Sequence, residues 1–218
     1  STKYSKISHL FNFHSWAPAY IDVNSYEIKP GASFFSQNKL GTAETRLGYK
    51  YDTEEKTGRY KIGFAYLGLF PEINTELSFG RQASNYYLIK NTLNKYNQVI
   101  RRDTTVERYT WNELTADIDM RLPLNFSKGK YSRIFYPEVK YTFNQVTLDN
   151  SAPTNFYSGN YHALAYRVYL YNLIQQSQQN IMPRWGQQID VIYRHTPFIG
   201  NNLGSLAGIQ SAFYFPGI

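Results

Sequence analysis

Apolar and polar residues alternate with a period of two along most of the chain. Between 43 and 52, Ala43, Thr45, Leu47, Tyr49 and Tyr51 hold the odd positions. Glu44, Arg46, Gly48, Lys50 and Asp52 hold the even ones. Successive side chains of a strand point to opposite faces, so this pattern predicts a strand with one apolar and one charged or small face. A helix would scatter both sets around its circumference.

The same pattern recurs down the chain. Tyr60, Ile62, Phe64, Tyr66 and Phe70 lie opposite Arg59, Lys61, Gly63 and Ala65. Ile73, Thr75, Leu77 and Phe79 oppose Asn74, Glu76, Ser78 and Gly80. Leu114, Ala116, Ile118, Met120 and Leu122 oppose Glu113, Thr115, Asp117, Asp119 and Arg121. Val139, Tyr141 and Phe143 oppose Glu138, Lys140, Thr142 and Asn144. Leu164, Tyr166, Val168 and Leu170 oppose Ala165, Arg167, Tyr169 and Tyr171. Ile189, Val191 and Tyr193 oppose Gln188, Asp190 and Arg194, and Ala207, Ile209, Phe213 and Phe215 close the series. Residues 10–19 and 28–37 are strand candidates with poor alternation.

This predicts about ten strands, most of them near the ~9–11 residues that a tilted membrane strand needs. The connections form two sets. Residues 38–41, 70–72, 123–130 and 173–183 are the first. Residues 23–27, 52–58, 81–109, 147–160 and 195–204 are the second, which is polar and holds the longest insertion. Outer-membrane barrels put short turns on the periplasmic side and long loops outside. Residues 81–109 are the least regular stretch, although Tyr86–Tyr87, Leu88–Ile89 and Val99–Ile100 suggest that two strands extend into it.

Composition sharpens the picture. The 218 residues include 21 Tyr, 14 Phe and 3 Trp, 17% in all. Tyr suits both a strand and a membrane interface, where one end of the ring is wet and the other apolar. Yet mean hydropathy is −0.50, and no apolar stretch reaches the ~18 residues of a transmembrane helix. A barrel hides its apolar residues in alternation, so its average reads as soluble. The expected fold is therefore all-β, an antiparallel up-and-down transmembrane β-barrel in a single domain over residues 1–218, forming part of a larger barrel.

On that reading Leu47, Tyr49, Ile62, Phe64, Tyr66, Leu77, Ile118, Met120, Val139, Tyr141, Leu164, Val168, Ile189 and Val191 face lipid. The charged residues that face the lumen are Glu44, Arg46, Arg59, Lys61, Glu76, Asp117, Asp119, Arg121, Glu138, Lys140, Arg167, Asp190 and Arg194, with Lys50 and Glu113. Acids and bases are nearly balanced there, as cross-strand pairs require. A soluble antiparallel sandwich with one wet face carries the same alternation, because alternation alone does not separate lipid from a second sheet.

The net charge of +7 fits anionic lipid or lipopolysaccharide. Arg101–Arg102 is the one adjacent basic pair and no basic stripe runs along the chain, so nucleic acid is not an expected partner. Arg81, Lys90, Lys95, Arg101 and Arg102 lie in or beside residues 81–109, which as an external loop would meet lipopolysaccharide phosphates and otherwise is a solvated loop. There is no cysteine, which removes disulfides and Cys-based zinc sites.

Candidate chemistry is sparse. His9, His14, His162 and His195 show no metal-ligand spacing, and no metal or cofactor is expected. His14 beside Ser15 pairs a base with a nucleophile in sequence, but neighbours on a regular strand point apart. Asp117 and Asp119 share a face with Glu113 close by, a pattern open to acid/base catalysis but more simply read as ion pairing with Arg121, Lys140 and other cations of that face. Residues 200–204 are a turn signal, not a phosphate loop.

His14-Ser15-Trp16-Ala17-Pro18, Pro30-Gly31 and Ser36-Gln37-Asn38-Lys39-Leu40 resemble the C-terminal barrel region of large Bacteroidetes outer-membrane proteins. In those, a periplasmic TolB-like or WD40-like β-propeller region precedes an Omp85-like barrel. The resemblance implies a bacterial outer-membrane location, a further N-terminal domain, and more strands beyond Phe215-Pro216-Gly217-Ile218, which lacks a terminal aromatic residue. It carries no catalytic residues.

The expected function is therefore a non-enzymatic barrel that anchors a periplasmic domain or takes part in outer-membrane assembly or transport. Its partners would be outer-membrane lipid, lipopolysaccharide and other outer-membrane proteins. Two alternatives stand beside it: a soluble or surface β-sandwich binding glycan or protein through a Tyr-rich face, and an outer-membrane barrel enzyme.

Overall fold

The computed structural model describes residues 12–22, 27–93, 96, 99–150, 152–153, 156–175, 183–198 and 203–216. His9, Lys95, the first two residues of the candidate strand at 10–19, and residues 200–202 and 217–218 fall outside them. The strands are β1 (Phe13–Asp22), β2 (Glu27–Gln37), β3 (Ala43–Asp52), β4 (Thr57–Tyr66), β5 (Glu72–Leu93) and β6 (Val99–Arg121). Then follow β7 (Leu124–Asn125), β8 (Tyr131–Leu148), β9 (Gly159–Ile174), β10 (Gly186–His195) and β11 (Ser205–Tyr214). Ten long strands form one antiparallel meander, each paired with the next, and the two-residue β7 pairs with β8. β1 and β11 are its two edges, so the sheet is open.

Strict alternation produced straight ladders. β3–β4, β8–β9, β9–β10 and β10–β11 pair without a register shift. β1 and β2 differ. The β1–β2 ladder slips between Phe13 and Ser15 and again between Ala17 and Ala19, around Pro18. A bulge adds one residue to one strand and so moves the following side chains to the other face. Trp16 lies beside Phe34, and Tyr20 beside Lys29, on opposite faces. The two slips are why residues 13–19 do not alternate in sequence.

Three expectations need correction. Phe70 does not share the β4 face, because β4 ends at Tyr66 and Phe70 lies in the following turn. The connection expected at 81–109 is much shorter: the two strands expected to extend into it do so, with β5 and β6 paired to Thr92–Arg101 and ending at Leu93–Val99. The long connection is therefore a two-stranded ribbon that outruns β4, whose last partner on β5 is Gly80, and β8, whose last partner on β6 is Trp111. The third concerns the turn between β2 and β3, which runs one residue further than 38–41. Asn38 closes it by accepting from the Thr42 and Ala43 N–H groups at 2.8 and 3.2 Å, while Gly41 takes a φ of 66°.

The strands are steeply staggered. One row of directly opposed residues runs Ala43, Tyr66, Ile73, Met120, Val139, Tyr166, Tyr193, Ala207. Ala43 starts β3 at one end of the sheet, whereas β11 runs seven residues past Ala207 to Tyr214 toward that same end. Over the seven steps from β3 to β11 the slip averages one residue per strand step, taken unevenly, since β6 ends one residue past the row and β8 starts eight past it. At ~3.4 Å per residue and ~4.8 Å per step, it tilts the strands by about 35°. That is the tilt at which barrels close, ~35–45°.

Candidate functional site

The two faces of this sheet are chemically opposite, and the candidate site is the pair of faces. Every residue expected on the apolar side lies on one face. Leu47, Ile62 and Leu77 sit side by side across three strands, as do Phe64, Thr75, Ile118, Tyr141 and Leu164 across five. Tyr49 opposes Tyr60, Tyr66 opposes Ile73, and Met120 opposes Val139. Val168 and Val191, and Leu170 and Ile189, continue the face on β9 and β10. Nothing in the described chain covers it. Ile62 is 40% exposed and Ile118 53% exposed, with Met120 and Val139 also open. Among the described residues the buried apolar set is Tyr20, Ala43, Ala83, Tyr109 and Ala163, and no large side chain is fully buried. A water-soluble domain buries its apolar face against a second layer; this sheet has none among its described residues.

The same face carries clusters of rings. Tyr60 stacks on Phe79 at 5.2 Å and meets the tilted Tyr49 ring at 4.8 Å. His162 lies among Phe143, Phe198 and Tyr141 at 5.1, 5.6 and 6.0 Å, and the Tyr141 hydroxyl meets its Nδ1 at 2.6 Å. His195 stacks on Tyr193 and Tyr166 at 5.2 and 5.8 Å. Both histidines therefore belong to ring clusters, and no metal cluster occurs among the described residues.

The charged face is concave. On β4, Lys61 reaches Glu76 of β5 at 3.2 Å and Asp22 of β1 at 3.5 Å. A flat sheet would hold β1 and β4 ~14 Å apart with side chains standing perpendicular to it. The sheet must curl toward this face for the pair to form. Glycines make the crossing possible. The Tyr20 ring lies on Gly48, where a Cβ would come within 2.8 Å of it. Arg59 passes over Gly80, its direct neighbour on β5, to Glu113 on β6 at 3.7 Å. The concavity, of about 220 Å³, is lined by Tyr20, Asp22, Phe35, Arg46, Lys61, Glu76, Asp117, Asp119, Arg121 and Lys140.

Every lumen candidate lies on this face, and most have partners there. Lys140 pairs with Asp117 at 2.8 Å, Arg121 with Glu72 at 3.6 Å, and Arg46 with Glu44 at 3.6 Å. Arg167 grips Asp190 with two N–H groups at 2.9 and 2.6 Å. Glu138 stands between Arg121 and Arg167, Asp119 accepts from Asn74 at 2.9 Å, and Arg194 opposes Ala165. Glu113 is the most heavily bonded acid. Its carboxylate takes Asn144 at 2.6 Å, Thr115 at 3.3 Å and the Trp111 indole at 3.4 Å, besides Gln82 and Arg59.

Several partners were not legible as site residues. Asp22, Glu27, Lys29 and Asp52 join the network through Lys61–Asp22, Lys50–Glu27 at 2.8 Å and Lys29–Asp52. The bulged β1 and weakly patterned β2 concealed the first three. Asp52 was visible in the alternation, but its partner was not.

His14 and Ser15 are a correction. They do not point apart: His14 Nδ1 lies 2.6 Å from Ser15 Oγ. The register slip between Phe13 and Ser15 turns His14 out of the regular ladder, which brings the two side chains together. Both are exposed, and no carboxylate orients the imidazole among the described residues. A catalytic pair needs such a third group and a place for the reacting atom.

Comparison with protein-family models, with curated proteins and with solved structures finds no match for this chain.

Proposed function

We propose that this chain is the wall of a transmembrane β-barrel in a bacterial outer membrane. It is non-enzymatic, anchoring a periplasmic domain or serving outer-membrane assembly or transport. The observation that carries the reading is the inversion of the two faces. The apolar face is the exposed convex one, and the charged face is the concave, ion-paired one. In water that arrangement leaves the apolar surface uncovered; in a bilayer, lipid covers it and the charges compensate one another inside.

The strand tilt of about 35° and the ring clusters on the apolar face support the same reading, since barrels tilt by that amount and carry aromatic girdles at the membrane interfaces. The resemblance of residues 14–18, 30–31 and 36–40 to Bacteroidetes Omp85-like barrels adds the location and the role as part of a larger assembly. The catalytic alternative is weaker, because Asp117, Asp119 and Glu113 are each held by neighbouring donors.

The test is the behaviour of the purified protein. It should require detergent to stay monomeric and migrate faster on a gel when unheated. A monodisperse, detergent-free monomer would reject the proposal and leave the surface-binding β-protein in its place.

A further inference from the structure

The ribbon made by β5 and β6 beyond Gly80 has two unlike faces. The register puts Tyr87 opposite Val106, Ile89 opposite Thr104, Asn91 opposite Arg102 and Asn85 opposite Arg108 on one of them. The other holds Lys90 opposite Asp103, Tyr86 opposite Glu107, and Arg101. On that second face Arg101 pairs with Asp103 at 2.8 Å, the Tyr86 hydroxyl donates to Glu107 at 2.9 Å, and Lys90 stands opposite Asp103. On the first face Arg102 and Arg108 have no acid partner among the described residues. Arg102 donates to Asn91 at 3.3 Å and Arg108 to the Glu55 carbonyl oxygen. Between and beside them, Tyr87 is 72% exposed, Val106 58% and Ile89 54%.

The basic face is the continuation of the apolar face of the sheet, because Leu77, Phe79 and Tyr87 share one parity on β5, as do Ile118 and Val106 on β6. Its base is braced. The loop after β8 clasps it through Asp149, which takes Arg81 and Thr110, and through Phe156, which packs on Tyr109 and Trp111 at 5.1 and 5.4 Å. The turn after β3 holds it through Glu55, which accepts from the Ala83 N–H at 3.2 Å. A free two-stranded ribbon is marginal in water; these braces fix where this one points. From Arg81 to Thr92 it extends ~40 Å along the strand. Resting on the membrane reading above, this places Arg102 and Arg108, neither with an acid partner among the described residues, and three apolar side chains outward above the surrounding lipid, beyond the Arg81–Asp149 pair at the base.

We infer that this face binds the phosphorylated glycolipid that surrounds the barrel, a lipopolysaccharide. Arg102 and Arg108 engage its phosphates, and Tyr87, Ile89 and Val106 lie against its sugars. Guanidinium groups suit phosphate because they offer several N–H donors in one plane. Charge complementarity selects an anionic occupant, and continuity with the wall selects one that stands around the barrel.

The chain has no cysteine, so single cysteines report cleanly on the full-length protein in vesicles. Val106→Cys samples the basic face, Thr105→Cys the opposite face and Ile62→Cys the wall. With a water-soluble maleimide, lipopolysaccharide added to phosphatidylcholine vesicles should slow labelling at 106 several-fold and leave 105 unchanged. Combining Val106→Cys with Arg102→Gln and Arg108→Gln should restore the rate. Equal protection on both faces, protection that survives the arginine changes, protection by dephosphorylated lipopolysaccharide, or the same protection by phosphatidylglycerol alone would each overturn the inference. So would an unprotected 106, which would leave an acidic protein as the occupant to seek. The Ile62 probe separates the two readings. Ready labelling at 62 in vesicles sinks the membrane wall itself, whereas a silent 62 with an unprotected 106 sinks only the glycolipid face.

Discussion

Asp22 and Lys61 form an ion pair at 3.5 Å although β2 and β3 lie between their strands. The contact depends on the curl of the sheet, and the curl depends on Gly48, on which the Tyr20 ring rests. Gly48→Ala should therefore destabilise the protein by about 1–3 kcal/mol through overpacking. Gly63→Ala is the control, because a Cβ there finds its nearest atom at 3.9 Å, an ordinary contact. Urea titration in detergent, followed by the shift between unheated and heated gel mobility, would measure both. Equal loss from the two variants would contradict the role assigned to Gly48.

Glu113 gathers donors from three strands, since Arg59 lies on β4, Gln82 on β5, and Trp111 and Thr115 on its own strand β6. Asn144 adds a fourth strand, β8. Glu113→Ala leaves these groups without their acceptor in a part-buried site. A loss of about 1–3 kcal/mol is expected, with Glu113→Gln recovering part of it. Denaturant midpoints at constant slope would check this. An unchanged midpoint in the Ala variant would mean that water replaces the carboxylate at no cost.

At the base of the ribbon, the Thr110 hydroxyl and then the Arg81 guanidinium hold the Asp149 carboxyl below the usual carboxylate range. A carboxyl whose folded value is depressed stabilises the clasp above its unfolded value, near ~4. That contribution is lost as pH falls through the lowered folded value. The clasp should therefore hold at neutral pH and loosen only in acid below ~4. Hydrogen exchange of residues 81–84 and 108–111 across that range should show the loosening, and Asp149→Asn should remove its pH dependence. Acid sensitivity that persists in the Asn variant would assign it to another group.

A charge placed on the convex face gives a sharp contrast. Ile118→Arg or Val191→Arg should cost ~2–4 kcal/mol near a bilayer midplane. The same changes on a solvated sheet would be mild. Leu47→Arg should behave like them.

The strands at β3, β4, β8, β9 and β10 were legible because their alternation is strict and their ladders run without a slip. β1 resisted because Pro18 sits at a bulge that reverses the parity of Tyr20 and Asp22 relative to Ser15 and Ala17. The ribbon was legible in part, through Tyr86–Tyr87, Leu88–Ile89 and Val99–Ile100. Both of its faces meet solvent, so neither needs to be apolar, and Thr104, Thr105, Asn85 and Asn91 blur the contrast. Which charges share the concave face followed from parity alone, but their partners did not. Lys61 finds Asp22 through curvature, and Arg59 finds Glu113 across Gly80. Period two says nothing of either. His14 and Ser15 were misjudged because the rule that neighbours point apart holds only in a regular ladder, and theirs is bulged.

The most direct test of the central claim compares two neighbours on β6, Asp117 and Ile118, which lie on opposite faces of one strand. Ile118→Cys and Asp117→Cys, placed singly in vesicle-reconstituted protein, would be exposed to a membrane-impermeant maleimide and to a lipid-soluble one. If lipid covers the convex face, Ile118→Cys stays protonated and reacts slowly with both reagents until the vesicles are dissolved, and Asp117→Cys is labelled faster than Ile118→Cys in intact vesicles. If Ile118→Cys reacts with the impermeant reagent as fast in intact vesicles as in denaturant, the convex face meets water and the chain is not a membrane wall.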